Sequence, residues 1–322
     1  MKSFRFSLPS LLSALLLCVA SGIPAQAQNW PTRPITLVVG FGAGSGIDLV
    51  ARLYAEYASK ELLQPVIVEN RTGGGGIVAS MSVAKAAPDG YTILLQANGP
   101  VILRPILDPD VGFDAVKDFS PIGLMAESPN VIVSSPKFSK DTLAQVVDWA
   151  KKNPGMLTMG HPGLGTMGHL GAALLASKAG ITGSYVGYRS GTEMLPNVLG
   201  GQIDIGSAAY TPQLKAAHIL AVMSPERIEF LPDVPSIREA GFPGAYAATW
   251  YALYGPAKLP PEIVAKLNAI MNAFLRSDEG KKRLAILGVR TLGGTPNQLE
   301  KRMSDDVLRW SKVIKDANVK IK

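Results

Sequence analysis

The sequence comprises 322 residues, of which 47% are hydrophobic and 18% are charged. That apolar content can bury enough surface to offset chain entropy, which excludes an intrinsically disordered chain, and a usual domain length of roughly 100–200 residues predicts two domains. Lysine and arginine outnumber the acidic residues by 32 to 25, but they form no basic stripe with interleaved aromatics, so nucleic-acid binding is not indicated.

Residues 1–27 have the pattern of a cleaved export signal. Two basic residues precede an almost wholly apolar stretch at residues 8–20, and Ala25-Gln26-Ala27 fits the small-x-small cleavage rule. The alternative, a membrane anchor, needs roughly 18 or more apolar residues, and this stretch is shorter. The sequence therefore predicts a soluble exported protein whose mature chain begins at Gln28.

Cysteine usage limits the chemistry of the mature chain. Cys18 is the only cysteine, and it lies within the predicted signal. The mature chain is therefore expected to have no thiol, which excludes disulfides, zinc–cysteine sites, iron–sulfur clusters and cysteine nucleophiles.

Short β-rich runs alternate with helix-length segments, the pattern of βαβ units on a parallel sheet and thus of an α/β fold. The predicted strands are Thr36–Val39, Val66–Val68, Thr92–Leu95, Val131–Val133, Leu157–Met159, Ile203–Ile205, Ile219–Met223 and Trp250–Gly255. The clearest predicted helices are Asp48–Leu63, a helix opened by Pro261, and a last helix with apolar residues from Leu299 to Ile314 at helical spacing.

Two stretches between the apolar runs, Glu127–Asn130 and Phe242–Thr249, are candidate junctions between the two domains. The helices after Pro260 have no strands of their own to cover, so we expect them to pack back on the first domain. That arrangement makes the first domain discontinuous and sends the chain across between two lobes twice. A cleft between lobes is where ligand sites preferentially form.

The first glycine-rich loop, Gly40–Asp48, runs from a predicted strand end to a helix start. Its glycines let backbone N–H groups approach a ligand, and a helix N-terminus adds unpaired donors that suit a carboxylate or phosphate. The loop lacks both the Walker A pattern and the spacing of a dinucleotide fingerprint. Ser45 to Asp48 also fits a capping box, so the Asp48 side chain is either part of a helix cap or a ligand contact.

A second loop of this kind, Gly160–Leu175, follows the strand Leu157–Met159. Residues Gly163–Gly168 match G-x-G-x-x-G, but no acidic residue stands at a strand end about 20 residues later, as a dinucleotide site requires. An exported protein also has little access to NAD. We therefore favour an anion-binding helix N-terminus with Thr166 as its cap, and keep an exported dinucleotide-dependent oxidoreductase as the alternative.

The three histidines and the remaining motifs offer little for catalysis. His161 and His169 flank the second loop without an acid at metal-ligand spacing. We expect His169 to hold the loop or touch the ligand, and His218 to be structural. Neither a nucleophile elbow nor a local Ser-His-Asp or paired-carboxylate set is present. The sequence therefore predicts a binding protein rather than an enzyme, with no metal and no cofactor.

These two loops, in this order, occur in a sequence that resembles the Bug receptors, the periplasmic solute-binding components of tripartite tricarboxylate transporters. The similarity extends over essentially the whole mature chain. The stretches that carry it are Trp30–Ile35, Asp48–Arg52, Pro65–Arg71, Ala87–Thr92, Val116–Phe119, His169–Leu170, Leu199–Asp204, Leu231–Pro235 and Trp250–Tyr251.

The resemblance implies a two-lobed periplasmic binding protein of the type II kind, with two chain crossovers and a ligand cleft between the lobes. We expect lobe 1 at residues 28–128 and 247–322, and lobe 2 at residues 129–246. The implied partners are a small organic carboxylate and membrane permease subunits, served by a monomeric receptor in the periplasm. A ligand sensor for a membrane signalling partner is the other alternative.

The resemblance also implies which positions contact the ligand. They are Phe41, Gly42, Ala43 and Asp48 in and after the first loop, Asn98 and Gly99 after the third strand, Gly163, Thr166 and His169 on the second loop, and Tyr188 and Ser207 in lobe 2. The chain also departs from the family pattern, with Ser190 in place of a usual glycine and Ala173 in place of a common glutamate among five such positions. The first loop lacks the usual prolines, which predicts greater flexibility, and Ala208 replaces a residue that is often polar. Arg104 replaces a usual Asn and is either a solvated surface residue or a second cation for a diacid.

Overall fold

The computed structural model describes residues 30–316. The predicted export signal at residues 1–27 lies outside this range. Within the described range, no helix is both long enough and apolar enough to cross a bilayer.

The strands of the described chain form one mixed sheet. They are β1 (Ile35–Val39), β2 (Val66–Asn70), β3 (Thr92–Ala97), β4 (Phe119–Ser134), β5 (Leu157–His161), β6 (Gly183–Gly187), β7 (Ile205–Ala209), β8 (His218–Val222), β9 (Ala248–Pro256) and β10 (Arg290–Thr291). The order across the sheet is β2-β1-β3-β9-β4-β7-β5-β6, and β8 and β10 pair with β4 outside this path.

Strand pairing divides the sheet into two halves. In the first half, β2, β1 and β3 are parallel and β9 joins β3 in the antiparallel sense. In the second half, β6, β5 and β7 are parallel. Residues 119–129 of β4 pair with β9, whereas residues 130–134 pair with β7 and, from Val131, with β8. The fold is therefore two-lobed, lobe 1 on the first half and lobe 2 on the second, and the chain crosses along β4 and again at the start of β9.

The helices cover both halves of the sheet. They are α1 (Gly46–Leu62), α2 (Ile77–Ala84), α3 (Arg104–Leu107), α4 (Leu143–Lys152), α5 (Met167–Ala179), α6 (Gly191–Leu199), α7 (Pro261–Arg276), α8 (Asp278–Ile286) and α9 (Pro296–Asp316). A π-helical turn at Gly99–Leu103 leads into α3, and 3-10 turns occupy Pro136–Phe138 and Pro212–Ala216.

Helix α1 connects the first loop to the core of lobe 1. Val50, Tyr54 and Ala58 are all buried, because residues four apart lie on one face of a helix. The ring of Phe274 in α7 packs against the ring of Tyr54 at a centroid distance of 6.1 Å. The C-terminal helices thus return to lobe 1, while the lobe boundaries given above stay a prediction.

Three local features differ from the predicted elements. Strands β6 and β10 have no predicted counterpart, because β6 is a largely exposed edge strand of mixed composition and β10 has only two residues. The predicted strand Ile203–Ile205 overlaps β7 at Ile205 alone. Glu127–Asn130, expected as a soft junction, is strand, because pairing with β9 continues through Pro129.

Candidate functional site

Among the helices that follow parallel strands, three have N-termini built in the same way. Helix α1 follows β1, α5 follows β5 and α6 follows β6, each after a short loop. The carboxyl ends of such strands are where open α/β sheets place their ligands. Each helix N-terminus there carries N–H groups without intrahelical partners and the positive end of a dipole.

The loop before α1 is held by the buried carboxylate of Asp48. It accepts hydrogen bonds from the Gly44 N–H at 2.8 Å, from Arg52 Nε at 3.0 Å and from Asn70 Nδ2 at 2.8 Å. Burial raises the pKa of Asp48, but the hydrogen bonds outweigh burial, and the net effect is a lowered pKa. Asn70 also donates to the Phe41 carbonyl at 2.8 Å. Asp48 is therefore an ionised brace for the first loop.

The loop before α5 is held by its cap residue and by two histidines. Thr166 Oγ1 accepts from the His169 N–H at 3.4 Å and donates to the Gly163 carbonyl at 2.7 Å. The Gly163 N–H donates to His161 Nδ1 at 3.2 Å, and the Gly165 N–H donates to His169 Nδ1 at 3.3 Å. Both Nδ1 atoms are acceptors, so each neutral ring carries its proton on Nε2.

Both of these histidine rings are buried. Burial lowers the pKa of His161 to about 4. Burial and, to a smaller extent, electrostatic repulsion from His161 and Arg104 lower the pKa of His169 to about 3. The ring centroids are 4.6 Å apart, so protonation of either ring would place a charge against the other ring and remove an acceptor that holds the loop.

The loop before α6 is built in the same way. Ser190 Oγ accepts from the Glu193 N–H at 3.1 Å, and the Arg189 N–H donates to Glu193 Oε2 at 2.9 Å. In all three loops, the side chain three residues after the cap (Asp48, His169 or Glu193) accepts the N–H of the residue before the cap. The first two N–H groups of each helix have no intrahelical acceptor, as in any α-helix, and the brace does not occupy them.

The three helix N-termini open on one cavity between the lobes. Its volume is about 70 Å³, several times the roughly 10–15 Å³ that one water molecule needs. None of the nineteen described residues that line it carries a charged side chain. They are Phe41, Ser45, Gly46, Ile47, Ala97, Gly99, Pro100, Pro162, Thr166, Met167, Gly168, Ser190, Gly191, Thr192, Ala208, Ala209, Thr211, Thr249 and Tyr251.

Several polar groups of the cavity wall can donate hydrogen bonds. Ser45 is the N-cap residue of α1, but its hydroxyl does not cap the helix and is buried without a partner among the described residues. The hydroxyls of Ser190 and Thr192 lie 2.8 Å apart on the lobe 2 side. Burial raises the pKa of Tyr251, so its phenol is a neutral donor. The cavity therefore offers N–H and O–H groups to an anion.

Three residues expected to contact a ligand line this cavity: Phe41, Gly99 and Thr166. In the first loop, Gly42 is partly exposed and Ala43 is exposed, and neither lines the cavity. Asp48 and His169 hold their loops as described above. Contact of these four residues with a ligand stays a prediction.

Asn98 and Ser207 lie behind the cavity wall. Asn98 is fully buried and donates from Nδ2 to the Ala248 carbonyl at 3.3 Å. Ser207 is buried in β7, and its hydroxyl lies 3.9 Å from the sulfur of Met223. Both residues border the segments through which the chain crosses between the lobes.

Gly163 and Tyr188 line a neighbouring depression that also contains Arg104. The Arg104 guanidinium pairs with Asp108 at 3.2 Å and is mostly buried. It lies outside the set of residues that line the ligand cavity. The structure therefore brings Gly163, Tyr188 and Arg104 together, beside the N-termini of α5 and α6 but outside the cavity lining.

The residues predicted from the sequence to contact the ligand do not include those at the N-terminus of α6 or those of β9. Ser190 and Glu193 form a capping box at a helix start, and that pattern could have identified the third N-terminus. Thr249 and Tyr251 carry no such local pattern, because β9 reaches the cavity only through its pairing with β3 and β4.

The side chains of residues 30–316 do not indicate a metal site. In that range, no group of three or more His, Cys, Asp or Glu side chains is placed to hold a metal ion. His161 and His169 use their Nδ1 atoms as acceptors for N–H groups of the second loop.

Known proteins resemble this chain over nearly its whole length. Residues 50–319 match a family model described as the tripartite tricarboxylate transporter family receptor. The chain is 30% identical to Protein BugT of Bordetella pertussis over 305 residues, which is 93% of this chain and 94% of that protein.

Two solved structures from Rhodopseudomonas palustris show the same fold. The structure of Rpa4515 with adipate is 32% identical, with a TM-score of 0.87, and the match covers 90% of this chain and 99% of that one. The structure of MatC with bound malate is 30% identical, with a TM-score of 0.84, and the match covers 88% of this chain and all of that one. Both lobes are included in these matches.

Proposed function

The chain belongs to the tripartite tricarboxylate transporter receptor family, and from that premise we propose that it captures a small organic carboxylate and delivers it to a tripartite membrane transporter. Members of this family are periplasmic solute-binding receptors and not enzymes. The proposal includes a monomeric receptor and the export signal expected at residues 1–27.

The observation that carries the proposal is the convergence of three helix N-termini on one cavity, whose lining among residues 30–316 includes no charged side chain. Each N-terminus is equivalent to about half a positive charge, and each hydrogen bond from a donor to a carboxylate contributes roughly 1.5–3 kcal/mol. The related structures with adipate and with malate support a carboxylate as the ligand.

Delivery requires that the shape of the receptor differ between the ligand-bound and the empty states. Helix α1 belongs to lobe 1, whereas α5 and α6 belong to lobe 2, so one bound carboxylate ligand bridges the lobes. Bridging favours the closed arrangement about the crossing segments of β4 and β9, as in other hinged binding proteins. A membrane partner can then distinguish the loaded receptor from the empty one.

Thermal unfolding with a panel of acids tests the binding step. Malonate, succinate, malate, adipate and citrate form the panel, with glucose and choline as neutral and cationic controls. A ligand present at 100 times its Kd should add about 2.7 kcal/mol to the free energy of unfolding. Stabilisation by glucose or choline, with none by any acid, would contradict the proposal.

Delivery is tested separately, by uptake of the bound acid into proteoliposomes that contain the transporter's membrane subunits. We expect uptake to depend on the added receptor, because the membrane subunits meet the acid only in the closed receptor. Equal uptake without the receptor would contradict the transport role while leaving the binding result in place.

A further inference from the structure

The tetraglycine loop, residues 73–76 between β2 and α2, touches the second loop of the opposite lobe. A Cβ atom at Gly75 would lie 2.8 Å from the Leu164 carbonyl oxygen, and one at Gly163 would lie 2.9 Å from the Gly75 Cα. Cβ atoms in proteins essentially never approach other atoms this closely. The two lobes therefore meet here backbone against backbone.

A second contact of this kind lies at the cavity wall. A Cβ atom at Gly99 would lie 2.9 Å from the Thr166 Cα and 3.1 Å from the Gly165 carbonyl oxygen. Gly99 belongs to lobe 1 and Thr166 to lobe 2, and both line the cavity. The distance between the lobes is thus limited beside the ligand as well as at the tetraglycine loop.

Neither contact can be shortened by a rotamer change, because both are between main-chain atoms. Packed protein interiors also have low compressibility. Hydrogen bonds within each loop hold these atoms in place. The Gly76 N–H donates to the Gly73 carbonyl at 2.9 Å in one loop, and Thr166 Oγ1 donates to the Gly163 carbonyl at 2.7 Å in the other. The closed cleft therefore has a minimum width that its backbone sets.

We propose that Gly75, Gly99 and Gly163 form a closure stop, which fixes how far the lobes close and thereby selects the length of the carboxylate that bridges them. This inference rests on the proposed function. A carboxylate that fits the closed width contacts the helix N-termini of both lobes at once. A longer one holds the lobes apart, and its contacts to one lobe weaken.

Calorimetric Kd values for malonate, succinate and adipate test the stop, because these acids carry the same charge and differ in length. Gly99→Ala is the principal variant, since the Gly99 backbone is outside the left-handed region and the nearest atoms to the added Cβ atom belong to residues 165–167 of lobe 2. The added Cβ atom should make the lobes meet at a greater separation. We therefore expect affinity for the shortest acid to fall about tenfold while affinity for adipate changes less than about threefold. Gly75→Ala should shift the preference in the same direction.

Gly74→Ala is the matched control for Gly75→Ala. Gly74 and Gly75 have φ angles of 58° and 71°, so alanine is strained at both positions. A Cβ atom at Gly74, however, meets only Ile77 of its own lobe, at 3.3 Å. Gly74→Ala should bind the three acids in the wild-type order.

Two results would overturn the closure stop. One is the wild-type order and affinity in both Gly99→Ala and Gly75→Ala. The other is an equal loss for all three acids in the Gly75→Ala and Gly74→Ala variants, which backbone strain alone explains. If the wild-type protein binds no acid at all, the proposed function fails, and this inference fails with it.

Discussion

Ser45 is a cap residue whose hydroxyl is not used for capping. Thr166 and Ser190 accept an N–H at the start of α5 and α6, whereas Ser45 Oγ is buried without a partner in the described chain. The carboxylate of Asp48 accepts the Gly44 N–H, as His169 and Glu193 accept the N–H before their own caps, so this bond does not replace the missing cap. The Ser45 hydroxyl is therefore free to donate to a ligand in the cavity that it lines.

Ser45→Ala should weaken ligand binding and leave the unliganded protein intact. Loss of one hydrogen bond to a carboxylate corresponds to roughly 1.5–3 kcal/mol, or about tenfold or more in Kd. The free energy of unfolding should change by less than about 0.5 kcal/mol, because no capping bond is lost. Calorimetry and urea unfolding measure the two quantities.

Thr142→Ala provides the matched cap variant for this comparison. Thr142 Oγ1 caps α4 by accepting the Gln145 N–H at 3.3 Å, and Thr142 is not among the residues that line the ligand cavity. Its loss should cost about 1 kcal/mol of stability without an effect on Kd. A Ser45→Ala protein that loses stability and keeps its affinity would show that Ser45 is an ordinary cap.

The buried histidine pair makes stability depend on pH. The folded-state pKa values of His161 and His169, about 4 and about 3, lie below the ordinary value of 6.5. Between these pKa values and 6.5, the unfolded chain binds protons at the two histidines whereas the folded chain does not. The contribution of the neutral rings to the free energy of unfolding is therefore complete above pH 6.5 and is lost as the pH falls toward 4. Between about pH 7 and about pH 5, each histidine should lower the free energy of unfolding by on the order of 2 kcal/mol. Urea unfolding at the two pH values measures this difference.

His161→Gln separates this effect from other acid-induced changes. Its amide oxygen can still accept a hydrogen bond but does not titrate, so the difference between the two pH values should fall by about half. The exposed His218 gives a control, and His218→Gln should retain the wild-type difference. An unchanged difference in His161→Gln would contradict the assignment.

At the scale of elements, α9 anchors both strands that cross between the lobes. Asp306 Oδ2 accepts from Trp250 Nε1 of β9 at 2.7 Å. Arg302 lies 3.4 Å from Glu127 of β4, and Arg290 of β10 pairs with the same carboxylate at 2.7 Å. The anchored residues Glu127 and Trp250 lie opposite each other in the pairing of β4 with β9, so α9 holds the two crossing strands at the same level.

Asp306→Ala should destabilise the protein because it leaves the Trp250 N–H buried and unpaired. The expected loss is roughly 1–3 kcal/mol, measured by urea unfolding. The adjacent Asp305 pairs with Lys301 at 2.7 Å on the surface, and an exposed pair of this kind contributes at most about 1 kcal/mol. Equal losses in Asp306→Ala and Asp305→Ala would show that α9 is not anchored through Trp250.

At the scale of the whole molecule, the charge that meets the ligand is assembled from both lobes. The three helix N-termini together supply roughly +1.5 elementary charges, and the cavity-lining residues in the described part of the chain add no charged side chain. A dianion nearly balances this charge. A third carboxylate would be enclosed without a counter-charge, which costs several kcal/mol when water is excluded.

We therefore expect citrate to bind more weakly than 3-hydroxy-3-methylglutarate, which has almost the same size and one carboxylate fewer. The difference should be about tenfold or more in Kd at neutral pH, and calorimetry measures it. Tighter binding of citrate would show that a cationic side chain reaches the ligand after all.

Much of the fold follows from local patterns. The predicted strand Thr36–Val39 and helix Asp48–Leu63 correspond to β1 and α1 within two residues, because an apolar period is a property of neighbouring residues. Strand β6 shows no such period, since it is largely exposed, and only its pairing with β5 makes it a strand. The continuation of β4 through Pro129 likewise depends on β9.

The sequence by itself determined the α/β class, the two glycine-rich turns into helices and the family resemblance. Only the tertiary structure decided that a third N-terminus, at Ser190, opens on the same cavity, that the Ser45 hydroxyl is left free, and that Gly75 and Gly99 touch the opposite lobe. These facts are distances between groups far apart along the chain. Two crossing strands set those distances, and no pattern of neighbouring residues encodes them.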